Sequence, residues 1–295
     1  MTYTSAQMAK LIDQTLLRPE ASYAAIEEHC RTALRYGFKT VAINNAPIPL
    51  AKKILEGSQV LIDAAISFPL GQCTTQVKVF EAIDAIEKGA GEVDYVTNVS
   101  AVKSGDWDLV LDEMRRIADA CHERGIPVKV IFENCYLNDD EKKRLCDTAL
   151  IARPDFIKTS TGFGTGGATV ADVRLMKAQV GQEIAIKAAG GIRTLESALQ
   201  MLEAGALLGA GKMAIVWNLV LPGIVWELAR SCAKCVERIL GEATALLVLL
   251  GAVPTGSVLS VELFRLAWIG RQDASLLALC LGGALVILRL ATSKS

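Results

Sequence analysis

The stretches Phe156-Ile157-Lys158-Thr159-Ser160-Thr161-Gly162 and Ile184-Ala185-Ile186-Lys187-Ala188-Ala189-Gly190-Gly191 each place one lysine within an apolar segment typical of a buried β-strand. A lysine in a protein interior loses hydration, and only a partner or a chemical task offsets that loss. Two such lysines, each followed closely by glycine, predict a reactive amine.

On both sides of these stretches, short apolar segments alternate with longer amphipathic ones. Strands are predicted at residues 41–44, 60–66, 92–97, 128–133, 156–160 and 184–188, with 11–16 opening the series and 206–210 closing it. Helices are predicted at residues 76–88, 107–124, 139–152, 170–180 and 195–204, several of them introduced by Thr, Ser or Asp as caps.

This alternation predicts an α/β protein with parallel strands and right-handed crossovers. Eight such units in about 210 residues fit a (β/α)8 TIM barrel. An open doubly wound sheet is the alternative. The Gly-x-Gly-x-x-Gly signature that favours it is missing after the first predicted strand.

In a barrel, the carboxyl ends of the strands form the mouth where the chemistry takes place. Lys158 and Lys187 both lie late in their predicted strands, so they could face one mouth from neighbouring strands. Asp94 lies inside another apolar strand, and Asp13 lies near the start of the chain in a segment of the same kind. Each charged residue alone has a structural explanation, but four at strand ends predict an active site.

Composition narrows the function classes. The chain has 295 residues, 52% of them hydrophobic, which is enough for a large core. A formal net charge of -1 gives no electrostatic basis for binding nucleic acid. The start shows no secretory signal, and the eight cysteines are scattered, which favours a cytoplasmic protein with reduced thiols. Cys232 and Cys235 have the spacing of a zinc or redox pair, but they lack a second pair of ligands and are interpreted as helix cysteines.

Four motifs together resemble 2-deoxyribose-5-phosphate aldolase. They are the two lysine stretches, the latter extended through Ile192-Arg193, together with Leu11-Ile12-Asp13-Gln14-Thr15-Leu16-Leu17-Arg18-Pro19 and Gly91-Glu92-Val93-Asp94. The resemblance runs in order from about residue 8 to about residue 206. It implies a (β/α)8 barrel that reversibly cleaves 2-deoxy-D-ribose 5-phosphate to D-glyceraldehyde 3-phosphate and acetaldehyde, as a class I lyase of carbohydrate degradation. Homo-oligomers are expected, since the family tends to form them.

Carried over position by position, the resemblance makes Lys158 the Schiff-base nucleophile. An amine attacks a carbonyl only when it is neutral, and a second cation with partial burial disfavours the ammonium form. Lys187 is expected to be that cation, Asp94 to serve as general acid and base through a bound water, and Asp13 to orient the substrate or the lysines.

The resemblance implies no cofactor and no metal. A zinc-dependent route to the same bond needs several imidazole ligands. The chain has only His29 and His122, each inside a predicted outer helix.

Phosphate binding is expected at Thr161, Gly162, Gly190 and Gly191, because small residues after strands let backbone N–H groups approach an anion. In the family a further loop rich in Gly and Ser completes the phosphate site. Here residues 206–216 are shorter than that pattern and lack its serines, and Lys212 is the candidate cation in their place.

Beyond residue 216 the resemblance ends, which predicts a barrel at 1–216 and an atypical apolar, helical C-terminal extension at 217–295. Residues 213–226, 243–261 and 274–288 carry no charge, whereas 227–242 have charges at helical spacing. Three interpretations stay open for this extension: a small helical appendage, a membrane-associating hairpin, or a translated segment that replaced the normal ending.

Two function classes follow. The first is an aldolase that uses Lys158. The alternative is a weakly active or inactive barrel whose tail associates with a membrane or a protein.

Overall fold

The computed structural model describes residues 3–206 and 213–215 of the chain. Within these residues, eight strands form one parallel sheet whose spatial order follows the sequence. The strands are β1 (Asp13–Leu16), β2 (Thr40–Ile43), β3 (Leu61–Ile66), β4 (Glu92–Val96), β5 (Val128–Ile131), β6 (Phe156–Lys158), β7 (Ala185–Ala188) and β8 (Met213–Ile215).

Helices precede β1 and connect the successive strands. They are α1 (Ser5–Ala9), α2 (Tyr23–Tyr36), α3 (Ile48–Leu55), α4 (Thr75–Lys88), α5 (Val99–Ser104), α6 (Trp107–His122), α7 (Asp139–Ala152), α8 (Val170–Val180) and α9 (Leu195–Ala206), with a 3-10 turn at Asn134–Tyr136. The five predicted helices are therefore confirmed with small shifts at their ends.

Polar side chains begin several of these helices, as the sequence predicts. The side chains of Thr74 and Asp106 accept hydrogen bonds from the backbone N–H groups of Val77 and Leu109. Asn138 and Glu141 form a reciprocal capping box at the start of α7. These bonds satisfy N–H groups that have no partner within the helix.

Side chains in each strand alternate between two environments, because successive residues of a strand point to opposite faces. In β4, Tyr95 points towards the helical layer, where the Lys78 ammonium of α4 lies 5.7 Å from its ring centre. Asp94 points to the other face and meets charged groups from other strands. The apolar core therefore lies between sheet and helices, and the enclosed face carries charge.

The sheet is curled. The Lys187 ammonium of β7 contacts the Asp13 carboxylate of β1, and the Lys129 nitrogen of β5 lies 3.8 Å from the same carboxylate. Strands that are far apart in the order of the sheet thus meet through side chains on one face. This is the arrangement of a TIM-barrel-like fold.

The strand predicted at 206–210 is wrong at its first residue, because Ala206 ends α9 and the next strand is β8. The amphipathic pattern of α9 continues to Ala206, and the apolar run Met213-Ala214-Ile215 forms the strand.

The apolar extension predicted at 217–295 lies outside the described residues. Among the residues that the structure describes, none of the helices has the length and hydropathy needed to cross a bilayer.

Candidate active site

The two lysines predicted to lie in buried strands, Lys158 and Lys187, are side by side at the carboxyl ends of neighbouring strands. Lys158 ends β6, Lys187 lies in β7, and the two are register partners in the parallel ladder. Partners in register project to the same face. Both side chains are buried, at 3% and 0% relative exposure.

Each lysine has a carboxylate partner from another strand. The Lys158 Nζ donates to Asp94 Oδ2 at 2.5 Å, and the Lys187 Nζ donates to Asp13 Oδ2. The structure thus brings together the four charged residues that the sequence predicts at strand ends.

A third buried lysine, Lys129 of β5, was missed by the sequence analysis. Its nitrogen lies 2.6 Å from Asp94 Oδ1 and 2.6 Å from Glu92 Oε2. Asp94 therefore bridges Lys129 and Lys158 with its two oxygens. The signal was present, since Lys129 occupies the apolar strand Val128-Lys129-Val130-Ile131 just as Lys158 and Lys187 occupy theirs.

The surroundings give these groups different proton affinities. Burial opposes the charge of Lys129, but the carboxylates of Asp63, Asp94 and Glu92 outweigh it and raise its pKa well above the ordinary value. Burial lowers the pKa of Lys187 well below its ordinary value. Lys129 is therefore the cation whose charge the surroundings stabilise most.

Asp94 is held in its ionised form. Burial alone would favour the protonated acid, but the charges of Lys129 and Lys158 and their hydrogen bonds outweigh burial and hold the pKa of Asp94 below its ordinary value. While both lysines are charged, Asp94 is thus a proton acceptor of low basicity.

Carboxylate oxygens of Asp13, Asp63 and Glu92 converge to within 4.8 Å of one another, a grouping that could hold a cation. The Lys129 ammonium lies among them, at 2.9 Å from Asp63 Oδ2 and 2.6 Å from Glu92 Oε2. This ammonium supplies the positive charge that such a set of oxygens requires.

The glycines predicted to bind phosphate lie on two loops that pack tightly together. Gly190 and Gly191 follow β7 with positive φ angles of 80° and 75°, and Gly162 follows β6 with a φ of 88°. A Cβ added at Gly167 would lie 2.3 Å from the carbonyl oxygen of Gly190, so this approach requires glycine. Lys212, the predicted cation for this loop region, lies outside the described residues.

Glu133 connects the end of β5 to the first of these loops. Its carboxylate accepts hydrogen bonds from the Thr161 hydroxyl and, at 3.2 Å, from the Thr161 backbone N–H. Burial raises the pKa of Glu133, an effect that these hydrogen bonds partly offset. Glu133 was predicted to end the strand at 128–133, but β5 ends at Ile131, and no role was predicted for Glu133.

Two cavities flank the sheet at opposite ends of its strands. One of about 280 Å³ opens beside Glu133, Thr161 and Phe163, at the carboxyl ends. A larger one of about 370 Å³ lies at the amino ends, beside Leu61 and Gly91, and its lining contains none of Lys129, Lys158 and Lys187. The smaller cavity lies at the end where barrel chemistry occurs.

A curled parallel sheet that encloses lysines paired with carboxylates is the arrangement of an enzyme that works through amines, the class that includes lysine-dependent aldolases. Comparison with known proteins gives the particular family. Residues 7–214 match the family model described as DeoC/LacD family aldolase, and the chain belongs to this family.

The relatives are named for one activity. The chain is 50% identical over 206 residues to the deoxyribose-phosphate aldolase of Lactobacillus acidophilus, which covers 70% of this chain and 87% of the relative. It is 51% identical over 201 residues to the deoxyribose-phosphate aldolase of Thermococcus gammatolerans, covering 68% and 89%.

Among solved structures, the tetrameric deoxyribose phosphate aldolase of Aeropyrum pernix is 30% identical. It matches with a TM-score of 0.66 over 73% of this chain and 88% of that chain. The predicted family resemblance is therefore confirmed.

Proposed function

We propose that this protein is a deoxyribose-phosphate aldolase that reversibly cleaves 2-deoxy-D-ribose 5-phosphate to D-glyceraldehyde 3-phosphate and acetaldehyde. The observation that carries the proposal is the buried Lys158–Asp94 pair at the carboxyl end of β6, with Lys187 in register beside it. The family match favours this enzyme over the alternative of an inactive barrel.

Lys158 is the nucleophile. Its neutral amine attacks the aldehyde carbon C1 of the open-chain sugar, and loss of water gives an iminium. Removal of the proton from the C3 hydroxyl then breaks the C2–C3 bond, whose electron pair moves towards the iminium to form an enamine. Protonation at C2 and hydrolysis release acetaldehyde and restore the amine.

Asp94 is the general acid and base in these proton transfers. It hydrogen-bonds to Lys158 and therefore lies beside the reacting amine, and a bound water carries the proton between Asp94 and the substrate. Lys187 and Asp13 form the neighbouring pair that orients the substrate and the nucleophile. The geometry adds Lys129 to this group, because Lys129 and Lys158 each form an ion pair with Asp94. No metal or cofactor takes part in this scheme.

Phosphate binding is assigned to Thr161, Gly162, Gly190 and Gly191, with Lys212 as the cation of the following loop. Positive φ angles at the three glycines are consistent with loops whose backbone amides turn towards an anion. Glu133 fixes Thr161 by two hydrogen bonds and so shapes the same loop.

The finer architecture belongs to the same proposal. We assign residues 1–216 to one closed (β/α)8 barrel and residues 217–295 to an apolar helical segment. We further assign the enzyme to the cytoplasm and to a homo-oligomer; the tetrameric relative from Aeropyrum pernix supports the homo-oligomer.

The test measures acetaldehyde released from 2-deoxy-D-ribose 5-phosphate, in the presence of a metal chelator. Wild-type protein should release acetaldehyde, Lys158→Ala should release none, and Lys187→Leu should be slower with its rate maximum at higher pH. Full activity in Lys158→Ala would show that the nucleophile is another group.

A further inference from the structure

Asp63 is a buried carboxylate to which the proposed mechanism gives no task. It lies in β3, in register with Glu92 of β4, and its side chain is almost completely buried. Its Oδ2 lies 2.9 Å from the Lys129 nitrogen. Its Oδ1 has no hydrogen-bond partner among the described residues. A carboxylate at this depth is costly to keep ionised, so its position calls for an explanation.

Asp63 and Asp94 share one cation. Lys129 lies 2.9 Å from Asp63 and 2.6 Å from Asp94, and Asp94 contacts Lys158 with its other oxygen. A continuous series of ion pairs therefore connects Asp63 in β3 to the amine in β6. Charge removed at one end changes how strongly the groups at the other end hold their protons.

Acidic and basic side chains alternate around Asp63 on the enclosed face. The carboxylates are Asp13 of β1, Asp63 of β3, and Glu92 and Asp94 of β4; the ammonium groups are Lys129 of β5, Lys158 of β6 and Lys187 of β7, with Lys39 at 2.6 Å from Glu92. In such a set, each negative charge favours the ammonium form of the lysines around it.

Asp63 holds its negative charge less firmly than Asp94 and Glu92 hold theirs. Burial and the neighbouring charge of Asp94 raise the pKa of Asp63 to about 7, while Lys129 opposes that rise. Asp94 keeps its pKa below the ordinary value because Lys129 and Lys158 outweigh burial. Asp63 therefore changes charge near neutral pH while Asp94 stays ionised.

We propose that Asp63 is a positioning residue that divides the charge of Lys129 between itself and Asp94, and thereby controls how strongly Asp94 and Lys158 hold their protons. This inference rests on the proposed function of Lys158. When the charge of Asp63 is removed, Lys129 acts more fully on Asp94 and Lys158. The Lys158 amine then becomes neutral at lower pH, while Asp94 becomes a weaker base.

The test uses Asp63→Asn, which removes the charge and keeps the shape. Wild-type protein and variant are incubated with acetaldehyde and borohydride over a series of pH values, and the adduct on Lys158 is measured by peptide mass spectrometry. In the variant, the pH of half-maximal adduct formation should fall by about one unit. The maximal rate of sugar-phosphate cleavage should fall about tenfold, because Asp94 is a weaker base.

Glu113→Gln is the matched control. Glu113 of α6 forms a buried ion pair with Lys78 of α4 at 2.8 Å, outside the enclosed face. Its variant should lose stability and leave the half-maximal pH unchanged. Asp63→Glu keeps the charge and should return the half-maximal pH to the wild-type value, whereas Asp63→Ser, which relieves any crowding by Asn, should shift it as Asn does.

The outcomes separate this inference from the proposed function. A wild-type adduct on Lys158 with an unshifted half-maximal pH in folded Asp63→Asn or Asp63→Ser overturns the role of Asp63 alone. A lower rate with no shift would assign Asp63 a purely structural role and also overturn it. Absence of any adduct on Lys158 in the wild-type protein overturns the proposed function, and this inference with it.

Discussion

Replacing Lys129 by Met removes the cation that four carboxylates share. The Lys129 nitrogen lies 2.6 Å from oxygens of Glu92 and Asp94, 2.9 Å from Asp63 and 3.8 Å from Asp13. Methionine fills nearly the same volume, so the variant tests charge rather than packing. The negative charges of four buried carboxylates then have less positive charge near them.

The expected loss of stability in Lys129→Met follows from the burial of the Lys129 ion pairs. Removing one partner of a buried ion pair typically destabilises a protein by about 3 to 5 kcal/mol, because the remaining charge stays desolvated. In a domain of this size, that loss lowers the melting temperature by roughly 10 °C.

The loss should depend on pH with a defined sign. In the wild-type protein, lysine charges outweigh burial and hold the pKa values of Asp94 and Glu92 below their ordinary values. These groups therefore contribute stability that is present above their unfolded pKa and is lost as pH falls through the folded pKa. Without Lys129, burial raises the same pKa values, so the destabilisation should be largest near pH 7 and should decrease towards about pH 5.

The assay is urea unfolding of wild type and Lys129→Met at both pH values. Lys78→Met is the matched control, since Lys78 is as deeply buried but forms its ion pair with a single carboxylate, Glu113. The loss in free energy of unfolding should change more between about pH 7 and pH 5 for Lys129→Met than for Lys78→Met. Equal destabilisation of Lys129→Met at both pH values would refute the argument, because it would mean that the carboxylates do not depend on this cation.

Three further predictions concern other parts of the molecule. Glu133→Gln weakens the hydrogen bonds to Thr161 and should raise the KM for the sugar phosphate about tenfold in steady-state assays, with little change in melting temperature; an unchanged KM would separate Glu133 from phosphate binding. Gly167→Ala should lower cleavage activity at least about tenfold, because its Cβ would lie 2.3 Å from the Gly190 carbonyl oxygen. The control Gly37→Ala, with open space around it, should cost only about 1 kcal/mol of stability. Equal cleavage kinetics in the two variants would contradict the close packing of the loops at Gly167 and Gly190. Burial lowers the pKa of His29 to about 4, so wild-type stability should fall by about 2 kcal/mol as pH decreases from 6.5 to 4, and urea unfolding of His29→Gln should lack most of this decrease.

Much of the fold could be predicted from the sequence because its patterns are regular. Strands such as residues 60–66 and helices such as residues 139–152 have the hydrophobic period and the flanking caps of their elements. The prediction was wrong at residue 206, which belongs to α9 and not to the strand predicted at 206–210, because an apolar segment that follows an amphipathic helix can be assigned to either element by its periodicity.

The site could be predicted only in part. A lysine in an apolar strand is a local signal, and it identified Lys158 and Lys187, although the same signal at Lys129 was not used. Asp63 lies inside the apolar strand Leu61–Ile66 just as Asp94 lies inside its own strand, but no role was predicted for it, and none was predicted for Glu133 at the end of its apolar stretch. Their importance arises from contacts across strands, 2.9 Å from Asp63 to Lys129 and two hydrogen bonds from Thr161 to Glu133, which only the folded arrangement brings about.

The most direct test of the central claim is to trap the amine. Purified protein is incubated with acetaldehyde, reduced with borohydride and mapped by peptide mass spectrometry. The account predicts a single ethyl adduct on Lys158, absent from Lys158→Ala. An adduct on Lys187 or Lys129 instead, or no adduct in a folded sample that cleaves the sugar phosphate, would contradict the assignment of Lys158 as the nucleophile.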